Sequence, residues 1–138
     1  PLLEALECAA RRGVDVRLIL PSHSTSDTAL AGGRADYGDL LKAGVKIYER
    51  EGVVLHAKTA VIDGLWSIVG SSNLDWRSTV SNNEIDAVVI GRPFAAQMEA
   101  MFTQDEAASR LVTLQGWRHR GLWERLREIK AQAVQMFL

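Results

Sequence analysis

The chain has 138 residues, of which 47% are hydrophobic and 24% charged, and its 17 acidic and 16 basic side chains leave a formal net charge of -1. This composition excludes a disordered or low-complexity chain and predicts one globular domain over residues 1–138. The sequence has no excess of basic residues to favour nucleic-acid binding, and no apolar run of the roughly 18 residues that a membrane-spanning helix needs. Its single cysteine allows no internal disulfide.

The first half of the chain predicts alternating helices and strands. A helix is predicted over residues 1–12, a strand over 14–20, a weaker helix over 29–41 and a short strand over 45–48. Gly13 and Gly44 are typical helix stops, and Pro21 cannot continue a central strand. Cys8, within the first helix, is expected to be a small buried side chain.

The clearest hairpin in the chain spans residues 53–69. Two apolar runs flank Asp63-Gly64, a dipeptide that fits a two-residue turn because both of its positions need a positive φ. Further on, a buried strand is predicted over 84–90, a helix over 94–108 and an amphipathic helix over 117–138. Strands that alternate with helices predict an α/β layered domain, with a mixed β-sheet flanked by helices.

Residues that can carry chemistry surround this hairpin. On its first strand, His56 and Lys58 are two residues apart and therefore share one face of the sheet. The return strand leads into the small-residue turn 70–73, whose hydroxyls and amides can approach an anion closely. Glu84 begins the next strand and can accept a hydrogen bond from the His56 ring. The alternate positions of the first strand are expected to be buried: Leu55, Ala57, Thr59 and Val61.

This spacing resembles the HKD motif of the phospholipase D superfamily. The matching residues, which fit the motif without a gap, are His56, Lys58, Asp63, Gly70, Ser71 and Asn73, with Glu84 at the position of the family's histidine-supporting acid. The segments AARRGVDVRLILP and LLKAGVKIYE look like the second half of bacterial cardiolipin synthases. The resemblance implies a phospholipase D-like fold that is one of two pseudo-symmetric halves.

The resemblance also implies what this chain lacks. The second HKD motif would come from an upstream half of the parent chain or from a homodimer partner. The parent would sit in the bacterial cytoplasmic membrane through transmembrane segments outside this chain, with the catalytic domain soluble. The fragment is expected to be soluble and, by itself, inactive.

A phosphohistidine mechanism without a metal or another cofactor follows from the resemblance. One histidine attacks phosphorus and the other protonates the leaving alkoxide, and the role of His56 stays open between these two. Lys58 and Asn73 would hold phosphate oxygens, while Ser71 would support the phosphate or Glu84. Glu84 would orient His56. Asp63 and Gly70 are expected to be structural.

The implied reaction condenses two phosphatidylglycerols to cardiolipin and glycerol. The alternative is a phosphodiesterase, either a phospholipase D or a nuclease, that pairs two single-motif chains and uses water as the acceptor. Nothing in the motif chooses between these acceptors. A binding module with degenerate chemistry is disfavoured because the motif is intact, and no nucleic-acid partner is expected.

Outside the motif, several residues support weaker hypotheses. Arg77 could contact a phosphate or cap its loop. His23 could reach the mouth of an active site, although a solvated loop residue is the favoured interpretation. The Trp- and Arg-rich stretch 117–138 fits an anionic lipid interface or, slightly better, a helix that packs on its own domain. Trp66 is expected to be a packing residue.

Overall fold

The computed structural model describes residues 2–24, 27–73 and 83–121. In chain order the elements are α1 (Leu2–Arg11), β1 (Arg17–Pro21), α2 (Asp27–Arg34), α3 (Tyr37–Ala43), β2 (Lys46–Arg50), β3 (Thr59–Ile62), β4 (Trp66–Gly70), β5 (Asp86–Ile90), α4 (Arg92–Ala107), β6 (Ser109–Val112) and α5 (Leu114–Arg118). They form two compact units, Pro1–Val54 with Ser109–Leu138, and Leu55–Ala108. The α/β class is confirmed, while the organisation of all 138 residues as one domain stays a prediction.

The first unit is built on a mixed sheet in the order β1-β2-β6. β1 pairs with β2 in parallel, and β2 pairs with β6 in antiparallel register. Helix α3 packs on β2, and α1 and α5 pack on α3. The core of this unit consists of Tyr37, Leu40, Val45, Ile47 and Val112. These buried side chains come from α3, from β2 and the residue before it, and from β6.

Local signals set most of these boundaries. Gly13 and Gly44 follow α1 and α3 with φ of 91° and 100°, as predicted from their typical role as helix stops. The single helix predicted over 29–41 is instead two helices, with a turn at 35–36 between them. Cys8 is exposed, so the prediction of a buried side chain is wrong. It lies off the stripe through which α1 packs on the core, which contains Leu3, Leu6 and Ala10.

A buried carboxylate joins three elements of the first unit. Glu49 on β2 is only 1% exposed. It pairs with Arg34 of α2 at 2.8 Å and with Arg110 of β6. A buried charge requires such partners, because its hydration is lost on folding. Arg34 also donates to the Ser22 carbonyl at 3.1 Å, so the loop after β1 is tied to the same carboxylate.

The beginning of the Trp- and Arg-rich stretch packs on its own unit. The rings of Trp117 and Tyr37 lie 5.0 Å apart, and the Arg120 guanidinium lies 3.8 Å from the centre of the Trp117 ring. Burial raises the pKa of Tyr37. These contacts agree with the packing interpretation for residues 117–121, while 122–138 lie outside the described residues.

The second unit is an antiparallel sheet, β3-β4-β5, with α4 packed against all three strands. Ala95 and Met98 of α4 and Ser67 of the central strand β4 are buried. Pro93 lies in the first turn of α4, where a missing N–H costs no helical hydrogen bond. Trp66 of β4 is 46% exposed, which does not fit its predicted packing role.

Candidate active site

The turn between β3 and β4 has the predicted geometry. Asp63 and Gly64 have φ of 53° and 58°, and the Leu65 N–H donates to the Ile62 carbonyl at 3.1 Å. Positive φ at both central positions matches the right-handed twist of a hairpin. Asp63, one of the predicted motif residues, therefore lies at the turn.

The first strand of the hairpin is shorter than predicted. It begins at Thr59, so His56 and Lys58 precede the strand. The pairing nevertheless continues past its end, because the Gly70 N–H donates to the Lys58 carbonyl at 3.0 Å. Leu55 and Val61 are half-buried, but Ala57 and Thr59 are exposed, so the prediction of a buried face is wrong for these two. Within the described sheet β3 is an edge strand, which a neighbouring strand covers on one side only.

Lys58 and His56 are in direct contact. The Lys58 ammonium donates to the His56 backbone carbonyl at 2.8 Å. An ammonium has three donor hydrogens, so this bond fixes the side chain and leaves the group able to bind an anion as well. The His56 side chain is exposed. The Lys58 ammonium thus lies beside the backbone of His56, just before β3.

Ser71 fastens the loop after β4 to the residue before β5. Its N–H donates to the Ile85 carbonyl at 3.1 Å. Its hydroxyl accepts from the Ile85 N–H at 3.1 Å and donates to the Ile85 carbonyl at 3.4 Å. The Ser71 hydroxyl therefore bonds to the backbone of Ile85, which directly follows the predicted catalytic Glu84.

Asp86 makes a second connection that sequence reasoning missed. Its carboxylate accepts from the Ser72 N–H at 3.2 Å and from the Ser72 hydroxyl. These hydrogen bonds hold the pKa of Asp86 below its ordinary value, with the hydroxyl of Ser72 contributing most. The only sequence signal was a carboxylate two residues after Glu84.

Strand topology brings the predicted catalytic residues to one end of the sheet. Because the three strands are antiparallel, the start of β3, the end of β4 and the start of β5 lie together, and Gly70 pairs with Asp86. The predicted catalytic residues all lie within three positions of these strand ends: His56, Lys58, Ser71, Asn73 and Glu84. Asp63 lies at the opposite end of the sheet.

Two weaker site predictions concern His23 and Arg77. His23 is exposed in the first unit, and its Nδ1 lies 3.1 Å from the Ser22 hydroxyl. Arg77 falls outside the described residues. Over residues 2–24, 27–73 and 83–121, His, Cys, Asp and Glu form no group of three or more that could hold a metal ion. In these same ranges, no helix combines the length and apolar character needed to cross a membrane.

The chain is similar to proteins of one family. A family model described as "Cardiolipin synthase, PLD-like domain" matches residues 1–106. Cardiolipin synthase A of Erwinia tasmaniensis and that of Salmonella arizonae are each 43% identical to it over 127 residues, which is 92% of this chain and 26% of the relative. The chain therefore spans about a quarter of the length of these curated relatives.

A solved structure has the same fold. It is the phospholipase D family member Nuc from Salmonella typhimurium, which matches with a TM-score of 0.71 at 19% sequence identity. The match covers 81% of this chain and 73% of that chain. The predicted phospholipase D-like α/β fold is confirmed by this likeness.

Proposed function

This chain belongs to the family of cardiolipin synthase PLD-like domains, and from that premise we propose that it is one catalytic half of a phosphatidyl transferase. The reaction condenses two phosphatidylglycerols to cardiolipin and glycerol. The observation that carries the proposal is the common placement of His56, Lys58, Asn73 and Glu84 at one end of the β3-β4-β5 sheet. The substrate lipids place the parent protein at the bacterial cytoplasmic membrane.

The transfer takes place in two displacements at phosphorus. In the first, a histidine ring nitrogen attacks the phosphodiester, the bond from phosphorus to the glycerol oxygen breaks, and a second histidine gives that oxygen its proton. In the second, the second histidine takes a proton from a hydroxyl of another phosphatidylglycerol, whose oxygen displaces the first histidine from phosphorus. His56 is one member of this pair. The other comes from a second HKD motif, in the rest of the parent chain or in a second copy.

The neighbours of His56 supply the electrostatics. Negative charge builds on the non-bridging oxygens as phosphorus becomes five-coordinate, and the Lys58 ammonium and Asn73 amide stabilise that charge. Lys58 is already fixed by its bond to the His56 carbonyl. Glu84 orients the His56 ring and stabilises its protonated form. Asp63, at the opposite end of the sheet, has a structural role in the hairpin turn.

Hydrolysis is the second candidate, and solvent exposure favours it. His56 and Asn73 are both exposed, so water can reach them in this chain. A homodimer of this chain would then supply the second histidine and act as a phosphodiesterase. Transfer to a lipid hydroxyl requires that the rest of the parent protein exclude water from this end of the sheet.

The products distinguish transfer from hydrolysis. This chain, and the complete polypeptide encoded by its gene, are incubated with phosphatidylglycerol vesicles, and cardiolipin, glycerol and phosphatidic acid are quantified. We expect cardiolipin and glycerol from the complete polypeptide and no turnover by this chain alone. Robust formation of phosphatidic acid by a dimer of this chain would instead establish the phosphodiesterase.

The role of His56 is tested in the complete polypeptide. We expect His56→Ala to lower kcat by about 10³-fold or more, since a nucleophile or acid is removed. His119→Ala is the matched control, because this exposed histidine bonds to the Gln115 carbonyl in the first unit, and its activity should stay within about twofold of wild type. Near-wild-type turnover by a folded His56→Ala protein would refute the assignment.

A further inference from the structure

The side chains of Ser71 and Asp86 connect the loop after β4 to the beginning of β5. The mechanism above gives Asp86 no role. The Ser71 hydroxyl bonds to both backbone groups of Ile85. Asp86 accepts both the N–H and the hydroxyl of Ser72. We call the pair of hydrogen bonds between Ser72 and Asp86 the Ser72–Asp86 clamp.

The absence of a side chain at Gly70 leaves room for this clamp. A Cβ at Gly70 would lie 1.8 Å from the Asp86 Oδ1. The carboxylate therefore occupies the space that a side chain would fill on the central strand. From that position it reaches Ser72, two residues along the loop.

The clamp joins two residues that flank a pair of predicted catalytic residues, Asn73 and Glu84, along the chain. Asn73 directly follows Ser72, and Glu84 lies two residues before Asp86. The two Ser72–Asp86 hydrogen bonds therefore join the residue just before Asn73 to the strand that follows Glu84.

We propose that Asp86 is a positioning residue of the active site: by holding Ser72, it places Asn73 beside the strand end that carries Glu84. This inference rests on the proposed function, in which Asn73 binds a phosphate oxygen. The two Ser72 donors keep the pKa of Asp86 low, so the carboxylate stays ionised at neutral pH and both bonds are charge-assisted. A carboxylate repels an anionic substrate, so removal of Asp86 should not weaken substrate binding.

Kinetics separate positioning from binding. In the complete polypeptide, Asp86→Ala should lower kcat about 10- to 100-fold through misplacement of Asn73, with KM unchanged or lower because a negative charge is removed. Asp86→Asn can still accept the Ser72 N–H and donate to its hydroxyl, so it should retain most of kcat. Asp39→Ala is the matched control, an exposed aspartate that pairs with Lys42 in the first unit.

A double-mutant cycle tests whether Ser72 carries the effect. Ser72→Ala should lower kcat less than Asp86→Ala, since one hydrogen bond remains, and the double variant should be no slower than Asp86→Ala. A kcat of Asp86→Ala equal to wild type, an Asp86→Asn as slow as Asp86→Ala, or fully additive effects would each overturn the proposal.

NMR of this chain separates failure of the clamp from failure of the proposed function. In Asp86→Ala we expect faster hydrogen exchange of the Ser72 amide and shifted resonances for the Asn73 side-chain amide and for Glu84. In Asp86→Asn we expect the wild-type exchange rate and the wild-type resonances. If these resonances do not move in Asp86→Ala, the positioning inference is wrong whatever the enzyme does. If they move as expected and the complete polypeptide turns over no phosphodiester, the proposed function is wrong and Asp86 only shapes the loop.

Discussion

Gly70 shows at the scale of one residue why the motif has glycine at this position. Its φ lies outside the left-handed region, so conformational freedom is not the reason. A Cβ would instead meet the Asp86 Oδ1 at 1.8 Å, the Ile85 carbonyl oxygen at 2.5 Å and the Asp86 Cα at 2.7 Å. Two of these three atoms are backbone or Cα, which cannot move without displacing β5. The position therefore excludes every side chain.

We predict that Gly70→Ala destabilises the protein by about 1–3 kcal/mol, the usual range for overpacking, and abolishes most turnover. Urea unfolding measures the first effect and the phosphatidylglycerol assay the second. Gly33→Ala is the control, because nothing lies within 4 Å of its Cβ position and alanine favours the α2 helix. A Gly70→Ala protein as stable as wild type would show that β5 moves freely.

Spacing predicted which residues belong to the motif but not what each side chain contacts. The prediction gave Ser71 to the phosphate or to Glu84, whereas its hydroxyl bonds to the backbone of Ile85. The position of Asp86 two residues after Glu84 was too weak a signal to reveal its role, because that role depends on the empty space over Gly70 on another strand. Contacts between strands are set by register, which a motif does not encode.

At the scale of elements, local sequence signals were sufficient to predict a turn or helix end whose own residues determine its conformation. The turn at Asp63-Gly64 was predictable because two adjacent residues must both have positive φ. The strand β6 was missed because Ser109–Val112 is four residues long and directly follows a helix. It exists through pairing with β2, whose residues are about 60 positions away in the chain. The ion pair between Glu49 and Arg110 depends on the same pairing.

Glu49 makes this dependence testable. Glu49→Ala removes a carboxylate that is 1% exposed, together with its ion pairs to Arg34 and Arg110, so we expect a loss of about 2–3 kcal/mol in the free energy of unfolding. Glu51 also pairs with Arg110 but is exposed, at 3.2 Å, and Glu51→Ala should cost about 1 kcal/mol or less. Equal losses for the two variants, measured by chemical denaturation, would contradict a structural role for the buried network.

At the scale of the whole molecule, the α/β class was predictable but the number of sheets was not. The alternation of elements predicted one mixed sheet, and β1-β2-β6 is a mixed sheet. The hairpin strands and β5 form a separate antiparallel sheet. Residues 109–121 belong to the same unit as the beginning of the chain, so the first unit is discontinuous in sequence. The periodicity of apolar residues indicates which residues are buried, but not in which of the two units they are buried.

The acid stability of the protein should depend on Asp15, which joins the segment before β1 to β2. Its carboxylate accepts from Arg17 at 2.6 Å and from Lys46 at 2.7 Å. These bonds, that of Arg17 first, lower the pKa of Asp15 from 3.8 to about 2. A carboxylate with a depressed folded pKa contributes stability above its unfolded pKa and loses it as the pH falls through the folded value. The contribution of Asp15 is therefore complete above pH 3.8 and disappears near pH 2.

We predict that Asp15→Asn flattens the fall in stability across this pH range. Asparagine has no charge to lose, so the urea midpoint of the variant should decrease less than that of wild type between pH 3.8 and about 2, starting from a lower value at neutral pH. The two curves should meet at the acid end, where Asp15 is protonated in both the folded and the unfolded chain. Parallel curves for the two proteins would mean that Asp15 has the same pKa in both states, and that its bonds to Arg17 and Lys46 do not persist in solution.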